Sequence, residues 1–182
     1  VNAFASVGSF CVWMTKNDFQ IYDGSVRQQT CDVQDYVFGD LNRMQISKVV
    51  AGVNSANDEI WWFYPSADSE ENDRYVAWNF REDHWAIGTL ARTAWCDSTI
   101  RKTPTAAGAD NYLYDHEQGY TNNGAALMAT RFAQSGAVEV GTGERAIVAR
   151  QVIPDEATQG QTKLVFKTRM TPNGAESSHG PY

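Results

Sequence analysis

The order of apolar and polar residues along the chain predicts a protein built mostly of β-strands. Phe10, Val12 and Met14 share one parity, and the segment Lys163–Met170 alternates along its whole length. Because successive side chains of a strand point to opposite faces, a period of two places each set on its own face. The aromatic run Glu59–Tyr64 differs, since apolar residues occupy both parities. Such a strand is expected to be covered on both faces, between two layers or at a subunit contact.

Turn residues divide these runs into antiparallel neighbours. Asp23 and Gly24 lie between two alternating segments, and an Asp-Gly pair in that position is a strong hairpin signal. Arg81–Asp83 separates a second pair of strands, whereas residues 97–110 are expected to form a long connection. The predicted strands are Phe10–Met14, Phe19–Tyr22, Val26–Cys31, Ile46–Val53, Glu59–Tyr64, Arg74–Phe80, His84–Leu90, Asn111–Asp115, Glu117–Tyr120, Arg145–Ile153 and Lys163–Met170.

Helical spacing competes with alternation in two segments. Asp32–Asn42 is predicted to form a short helical turn that Asp35 caps, and Gly39 argues against a longer helix. The side chains expected to face inward are Tyr36, Val37, Leu41 and Met44. Ala125–Phe132 is rich in good helix formers but is short and lacks capping residues. A strand is the preferred interpretation there, with a helix as the alternative.

A loose repeat suggests how the strands are grouped. Phe19–Gly24, Tyr75–Asp83 and Asn111–Glu117 each combine a strand, an aromatic residue beside Asp or Asn, and a polar turn. Repeated groups of antiparallel strands predict an all-β, propeller-like fold with approximate units 1–44, 45–96 and 110–182, and a β-sandwich is the alternative. Three units are fewer than the roughly four to eight blades of a closed propeller. Residues 1–182 are therefore expected to be one β-rich region whose closure needs more chain or partner subunits.

Charge and cysteine content exclude several classes of function. The chain of 182 residues has 15 Lys and Arg against 22 Asp and Glu, a formal net charge of −7. This charge disfavours clamping of DNA phosphates and adhesion to anionic lipid, and no apolar run is long enough to span a membrane. Cys11, Cys31 and Cys96 are far apart and odd in number, which favours free thiols over a disulfide framework or metal site.

Candidate catalytic residues are few. His84 and His116 belong to no metal-ligand or nucleophile motif, although His116 follows Asp115 and an Asp-His pairing is conceivable. Three pairs of neighbouring carboxylates are Asp58 with Glu59, Glu82 with Asp83, and Asp155 with Glu156. Adjacent strand residues point to opposite faces, so none of these pairs is expected to act as a glycosidase pair. We predict a chain that is not an enzyme, with no catalytic, cofactor-binding or metal-binding residues.

Two further features have alternative interpretations. The acidic segment Asp68–Asp73 lacks the glycine and the alternating ligands of a calcium loop, so a solvated hairpin tip is favoured. Trp61, Trp62 and Trp85 would form a sugar-stacking platform if they were exposed, and would pack in the core or at a subunit contact if they were buried.

Several segments resemble one protein family. Asp35–Trp95, Trp13–Gln28 and Val152–Tyr182 resemble the packaged-DNA stabilisation, or tail nozzle, proteins of short-tailed bacteriophages. The most specific matches are EIWWFYPS at 59–66, NDRYVAWNF at 72–80 and IGTLARTAW at 87–95. These are strand and turn segments rather than a catalytic signature, so they indicate ancestry and not chemistry.

The resemblance implies a structural virion protein with a propeller-like fold. It would be assembled in the host cytoplasm into a homo-oligomeric ring at the distal end of the tail, attached to the adaptor beneath the portal, with no membrane anchor. The ring would retain and later conduct the genome, and acidic subunits are expected to hold like-charged DNA weakly. Because members of the family are longer, the chain is expected to be part of a propeller. The alternative function is a receptor- or carbohydrate-binding β-domain of a phage tail; a tail depolymerase is a third.

Overall fold

The computed structural model describes residues 3–98, 100–122, 124–126, 132–138, 148, 150–153, 162–171 and 174–182. Strands of antiparallel sheets predominate in these segments, so the prediction of an all-β chain is confirmed. The chain divides into two compact units, Val1–Gly124 and Ala125–Tyr182.

The described residues of the first unit form three antiparallel sheets of three or four strands, and these strands follow one another in chain order. The first sheet consists of β1 (Phe4–Val7), β2 (Phe10–Met14), β3 (Phe19–Tyr22) and β4 (Val26–Gln29). The second consists of β5 (Val50–Asn54), β6 (Glu59–Tyr64), β7 (Arg74–Asn79) and β8 (His84–Thr89). The third consists of β9 (Ala94–Cys96), β10 (Thr105–Ala107) and β11 (Leu113–Asp115). Each sheet is therefore a simple meander with its first strand at one edge.

A short helical connection joins the first two sheets. It comprises α1 (Gln34–Asp40) and a 3-10 helix (Arg43–Lys48). The helix begins after Val33 without a side-chain cap, so the prediction that Asp35 caps it is wrong, and Asp35 lies in the first turn instead. A carboxylate there still interacts favourably with the helix dipole.

Only half of the side chains predicted to face inward from this connection do so. Val37 and Leu41 are buried, whereas Tyr36 and Met44 are exposed. A helix of seven residues has one inward stripe, here formed by Val37, Phe38 and Leu41, and Tyr36 lies outside it. Met44 lies in the 3-10 helix, where its backbone amide donates to Asn42 Oδ1 at 3.0 Å.

Several strand boundaries differ from the prediction. The strand predicted over Ile46–Val53 begins only at Val50, because the preceding residues belong to the 3-10 helix. Strand β10 lies within residues 97–110, which were expected to form a long connection, and strand β9 was not predicted. Each has three residues, too few for alternation to be recognised. The segment Glu117–Tyr120 is not a strand, and the two-residue strand β12 (Thr121–Asn122) lies in the predicted turn.

The main core lies between the first and second sheets. Phe19 of β3 has its ring centroid 4.9 Å from that of Trp62 and 4.7 Å from that of Trp85. The other fully buried strand residues of this core include Val12, Ile60, Tyr64 and Val76. On β2 the buried residues Val12 and Met14 alternate with half-buried ones, as the period of two predicted.

The second sheet is covered on its other face by the third. The indole of Trp95 on β9 stacks on Trp61, with centroids 5.9 Å apart, and lies 5.6 Å from Phe63. Trp95 Nε1 also donates to the carbonyl of Val53 at 2.7 Å. Strand β6 is therefore buried between two layers of its own chain, one of the two arrangements expected for it.

The sheets follow a regular order along the chain. Their first strands begin at residues 4, 50 and 94, so one sheet follows another about every 45 residues, a typical length for one repeat of a β-propeller. Strand β5 contacts both β1 and β9. The three repeat segments found in the sequence fall on β3, β7 and β11, which are the third strands of their sheets.

The second unit contains three short described strands, β13 (Ala125–Ala126), β14 (Phe166–Thr168) and β15 (Ser177–His179). Strands β14 and β15 pair in antiparallel register, and Glu176 accepts from both Lys167 and Arg169 at 3.2 Å. The predicted strand Lys163–Met170 is thus confirmed only in its centre. Of the predicted strand Arg145–Ile153, residues 145–147 and 149 lie outside the described residues, and the described ones are not in a strand. Most of Ala125–Phe132, residues 127–131, also lies outside the described residues.

Candidate functional site

The carboxylates considered from the sequence mostly have structural partners. Asp58 forms an ion pair with Arg81 at 2.9 Å, and Glu59 Oε2 accepts from Trp61 Nε1 at 2.8 Å. Glu82 Oε2 lies 3.4 Å from His84 Nδ1 at an exposed turn. Asp155 and Glu156 lie outside the described residues. The described pairs thus stabilise turns and strands rather than facing each other across a cleft.

The acidic segment Asp68–Asp73 has a solvated tip, as expected, because Asp68, Glu70 and Glu71 are exposed, but its end is held against the fold. Asp73 accepts from the backbone amide and hydroxyl of Ser66 at 2.7 and 2.8 Å. The buried Asn72 donates from Nδ2 to the carbonyls of Lys48 and Arg92, at 2.9 Å each. The segment therefore connects the start of the second sheet to the start of the third. In the part of the chain that the structure describes, no group of three or more His, Cys, Asp and Glu could hold a metal ion.

The three cysteines are free thiols at separate places. Cys31 is buried, and burial raises its pKa to about 12, so the thiol stays protonated at neutral pH. Cys11 is half-buried and Cys96 is exposed.

A buried arginine organises the start of the third sheet. Arg92 Nε donates to His116 Nε2 at 2.9 Å, and Arg92 Nη1 donates to the carbonyl of Ala91 at 2.7 Å. Its guanidinium lies 4.0 Å from the centroid of the Tyr114 ring, a cation–π contact. The His116 ring packs on Trp95 with centroids 4.8 Å apart. This cluster thus supports the Trp95 indole that covers the second sheet.

The state of His116 follows from its surroundings. Burial, reinforced by the Arg92 charge, lowers the pKa of His116 to about 4. The imidazole is therefore neutral at pH 7 and accepts at Nε2, which places its proton on Nδ1. The neighbouring Asp115 accepts from Arg101 and Thr105, at 3.0 and 2.9 Å. None of these contacts joins Asp115 to His116, so they do not form the Asp-His pair considered from the sequence.

We expect acid to destabilise the first unit through His116. Between about pH 6.5 and 4 the unfolded imidazole binds a proton more readily than the folded one, so the free energy of unfolding falls as the pH is lowered. The full pKa difference corresponds to about 3 kcal/mol, and screening of the partly exposed ring by solvent reduces the contribution to about 2 kcal/mol, nearly complete at pH 4. Urea unfolding at about pH 7.0 and about pH 4.5, which bracket most of this pH interval, measures the loss of stability.

The substitution His116→Gln is the control for this prediction. Its amide oxygen can still accept from Arg92, but the side chain does not titrate. The variant is expected to lose less stability than the wild type over the same pH interval. Equal losses in the two proteins would show that His116 does not couple folding to pH.

An open cleft of about 470 Å³ lies where the first and second sheets diverge. Its apolar wall includes Phe10 and Phe80, both half-buried, and the edge of the buried Trp78. The Phe10 ring centroid lies 5.7 Å from that of Phe80 and 6.1 Å from that of Trp78, in edge-to-face contacts. None of these side chains lies on the aromatic strand β6. Phe10 begins β2, Trp78 lies on β7, and Phe80 directly follows β7.

The polar wall of the cleft is fixed by hydrogen bonds across the two sheets. Asp83 Oδ1 accepts from Trp78 Nε1 at 3.0 Å and from Gln29 Nε2 at 3.3 Å. Asp83 has a φ of 53°, a left-handed conformation that the turn between β7 and β8 requires. At the mouth of the cleft, Arg27 donates through Nε and Nη2 to Asp23 at 3.2 and 3.0 Å. Both hairpins were predicted from the sequence, but no sequence pattern indicated that they lie next to each other at this cleft.

The sugar-stacking platform considered from the sequence is not present at the tryptophans named for it. Trp62 has no exposed surface, and Trp61 is covered by Trp95. Trp85 is half-buried, packs on Phe19 and donates from Nε1 to the carbonyl of Thr30 at 2.9 Å. These side chains stabilise the stacking of the sheets.

No protein-family model matches the chain, and no curated protein matches it. Among the described helices, none has the length and apolar character needed to cross a membrane.

Proposed function

We propose that the chain is a structural subunit of a bacteriophage tail nozzle, in which its sheets serve as blades of a propeller. The subunits would form a homo-oligomeric ring in the virion, attached to other tail proteins, and the genome would leave through this ring. The proposal assigns no catalytic residue. The buried side chains pack the sheets against one another.

The order of the three sheets is the observation that best supports this proposal. Each sheet of the first unit is an antiparallel meander, the first strands recur about every 45 residues, and β5 contacts both β1 and β9. Propeller blades are four-stranded meanders placed around a central channel, and their repeats have about this length. In a propeller, more chain or further subunits would supply the remaining blades.

The segments most similar to tail nozzle proteins lie where the sheets stack. Residues 59–66 include all of β6, residues 72–80 include β7, and residues 87–95 extend from β8 to Trp95 on β9. The similarity is thus concentrated in the second sheet and in the indole that covers it. A formal net charge of −7 fits a ring that must release DNA rather than bind its phosphates.

Localisation on phage particles tests the proposed function. Antibodies raised against the 182-residue chain are applied to purified virions of the phage that encodes it and detected by immunogold electron microscopy. We expect label at the distal end of the tail, and none with pre-immune serum. Label on the capsid, or absence of the chain from purified virions by mass spectrometry, would contradict the proposal.

A further inference from the structure

We propose that the cleft between the first two sheets binds a neutral oligosaccharide. The cleft is defined here by Phe10, Phe80, Gln29, Asp83, Arg27 and Asp23. Its volume of about 470 Å³ lies within the usual range for small-molecule sites. This inference does not depend on the proposed function, since a sugar site would operate on any β-domain.

The two half-buried phenylalanines provide the apolar surface that a sugar ring requires. Phe10 and Phe80 pack edge to face, so each ring is held by its neighbour while part of it stays accessible in the cleft. The C–H groups on one face of a pyranose pack well on an aromatic ring, and the aromatic side chains need no further ordering to receive them.

Hydrogen-bonding groups face the same cleft and are held in place. The bonds that Asp83 makes with described residues all fall on Oδ1, which leaves Oδ2 as an acceptor for hydroxyl groups. Gln29 uses Nε2 towards Asp83, and its Oε1 accepts no bond from the described residues. Arg27 binds Asp23 through Nε and Nη2, so Nη1 remains available as a donor. Fixed acceptors and a donor beside an aromatic wall are the groups that orient a polyhydroxylated ligand.

The charges of the cleft select a neutral sugar over an acidic one. Three of its lining residues are charged: Asp23 and Arg27 form an ion pair, and Asp83 remains as a negative charge. A uronic acid, a sialic acid or a phosphate group would meet the Asp83 carboxylate and be repelled. Neutral hydroxyl groups instead donate to that carboxylate, a charge-assisted hydrogen bond.

Ligand-observed NMR with the 182-residue chain tests the inference. Saturation-transfer experiments use three neutral trisaccharides, built from glucose, mannose or galactose, and trigalacturonic acid as the acidic match of the galactose trisaccharide. We expect at least one neutral trisaccharide to bind with a dissociation constant of about 1 mM or lower, and trigalacturonic acid to bind at least about tenfold more weakly. Absence of signal from all three neutral sugars at about 10 mM overturns the proposal, as does equal binding of the acidic one.

Variants of the cleft locate the binding. Phe80→Ala is expected to weaken the sugar about tenfold or more, because it removes part of the aromatic wall. Arg27→Gln is at an exposed position that leaves the core unchanged, and about threefold weaker binding is expected because a shorter, neutral amide replaces the charged guanidinium donor. Asp83→Asn should reduce the discrimination against trigalacturonic acid. Tyr112→Ala, an exposed aromatic residue outside the cleft, is the control. Unchanged neutral-sugar affinity in both Phe80→Ala and Arg27→Gln rejects the cleft as the site.

Discussion

Trp62→Ala is expected to lower the free energy of unfolding of the first unit by about 3–5 kcal/mol, the usual cost of truncating a large buried aromatic residue. Trp62 has no exposed surface and packs between the first two sheets, with its ring 4.9 Å from Phe19 and 6.0 Å from Trp85. Its Nε1 also donates to the carbonyl of Ala3 at 3.0 Å. That carbonyl keeps a bond from the amide of Met14, so the loss comes mainly from the cavity. Urea unfolding followed by circular dichroism measures it.

Trp13→Ala is the matched control for this substitution. Trp13 is also a strand tryptophan, on β2, but it is half-buried and has the parity opposite to the core residues Val12 and Met14. Its removal is expected to cost about 1 kcal/mol, in proportion to the smaller apolar area that it buries. If the two substitutions cost the same, the sheets do not stack through Trp62.

Gly52→Ala is expected to cost about 2–3 kcal/mol by displacing the third sheet from the second. Gly52 lies in the middle of β5, where its backbone geometry accepts alanine. An added Cβ would overlap the Trp95 ring and lie 2.6 Å from Trp95 Cβ. The indole would have to leave Trp61 and Phe63 and lose its bond to the Val53 carbonyl. Urea unfolding gives the cost, and near-ultraviolet circular dichroism reports the changed packing of the tryptophans.

Two controls separate this clash from other effects of alanine. Gly39→Ala introduces the same methyl group on α1, where no atom lies within 4 Å, and is expected to be neutral or stabilising by up to about 1 kcal/mol. In a double-mutant cycle, Gly52→Ala should cost little once Trp95→Ala has removed the indole. An equal cost in both backgrounds would mean that Trp95 is not what fills the space above Gly52.

The strands that alternation predicted are those whose two faces differ. On β3, Phe19 and Ile21 are buried while Tyr22 is exposed, and the Asp23-Gly24 turn fixes the hairpin. The aromatic strand β6 was also recognised as needing cover on both faces, although its partner on the second face was not. That partner, Trp95, lies on a strand of only three residues, too short to show a period.

The cleft could not be predicted because it depends on the stacking of two sheets. Gln29 and Asp83 are separated by 54 residues and each resembles an ordinary polar strand or turn residue in the sequence. Likewise, the contact of Arg92 with His116 spans 24 residues that include three strands of only three residues each. Local patterns describe strands and turns, whereas these contacts arise only when the sheets pack, so the sequence contains no local signal for them.

If the chain is the proposed nozzle subunit, an electron cryo-microscopy reconstruction of the intact tail of the corresponding phage tests this central claim most directly. We expect the distal ring of the tail to contain density for residues 4–115, with the first three sheets as consecutive blades of a propeller and β1, β5 and β9 nearest its axis. A ring whose density does not contain this segment, or one in which these first strands lie at the outer rim of their sheets, would contradict the account.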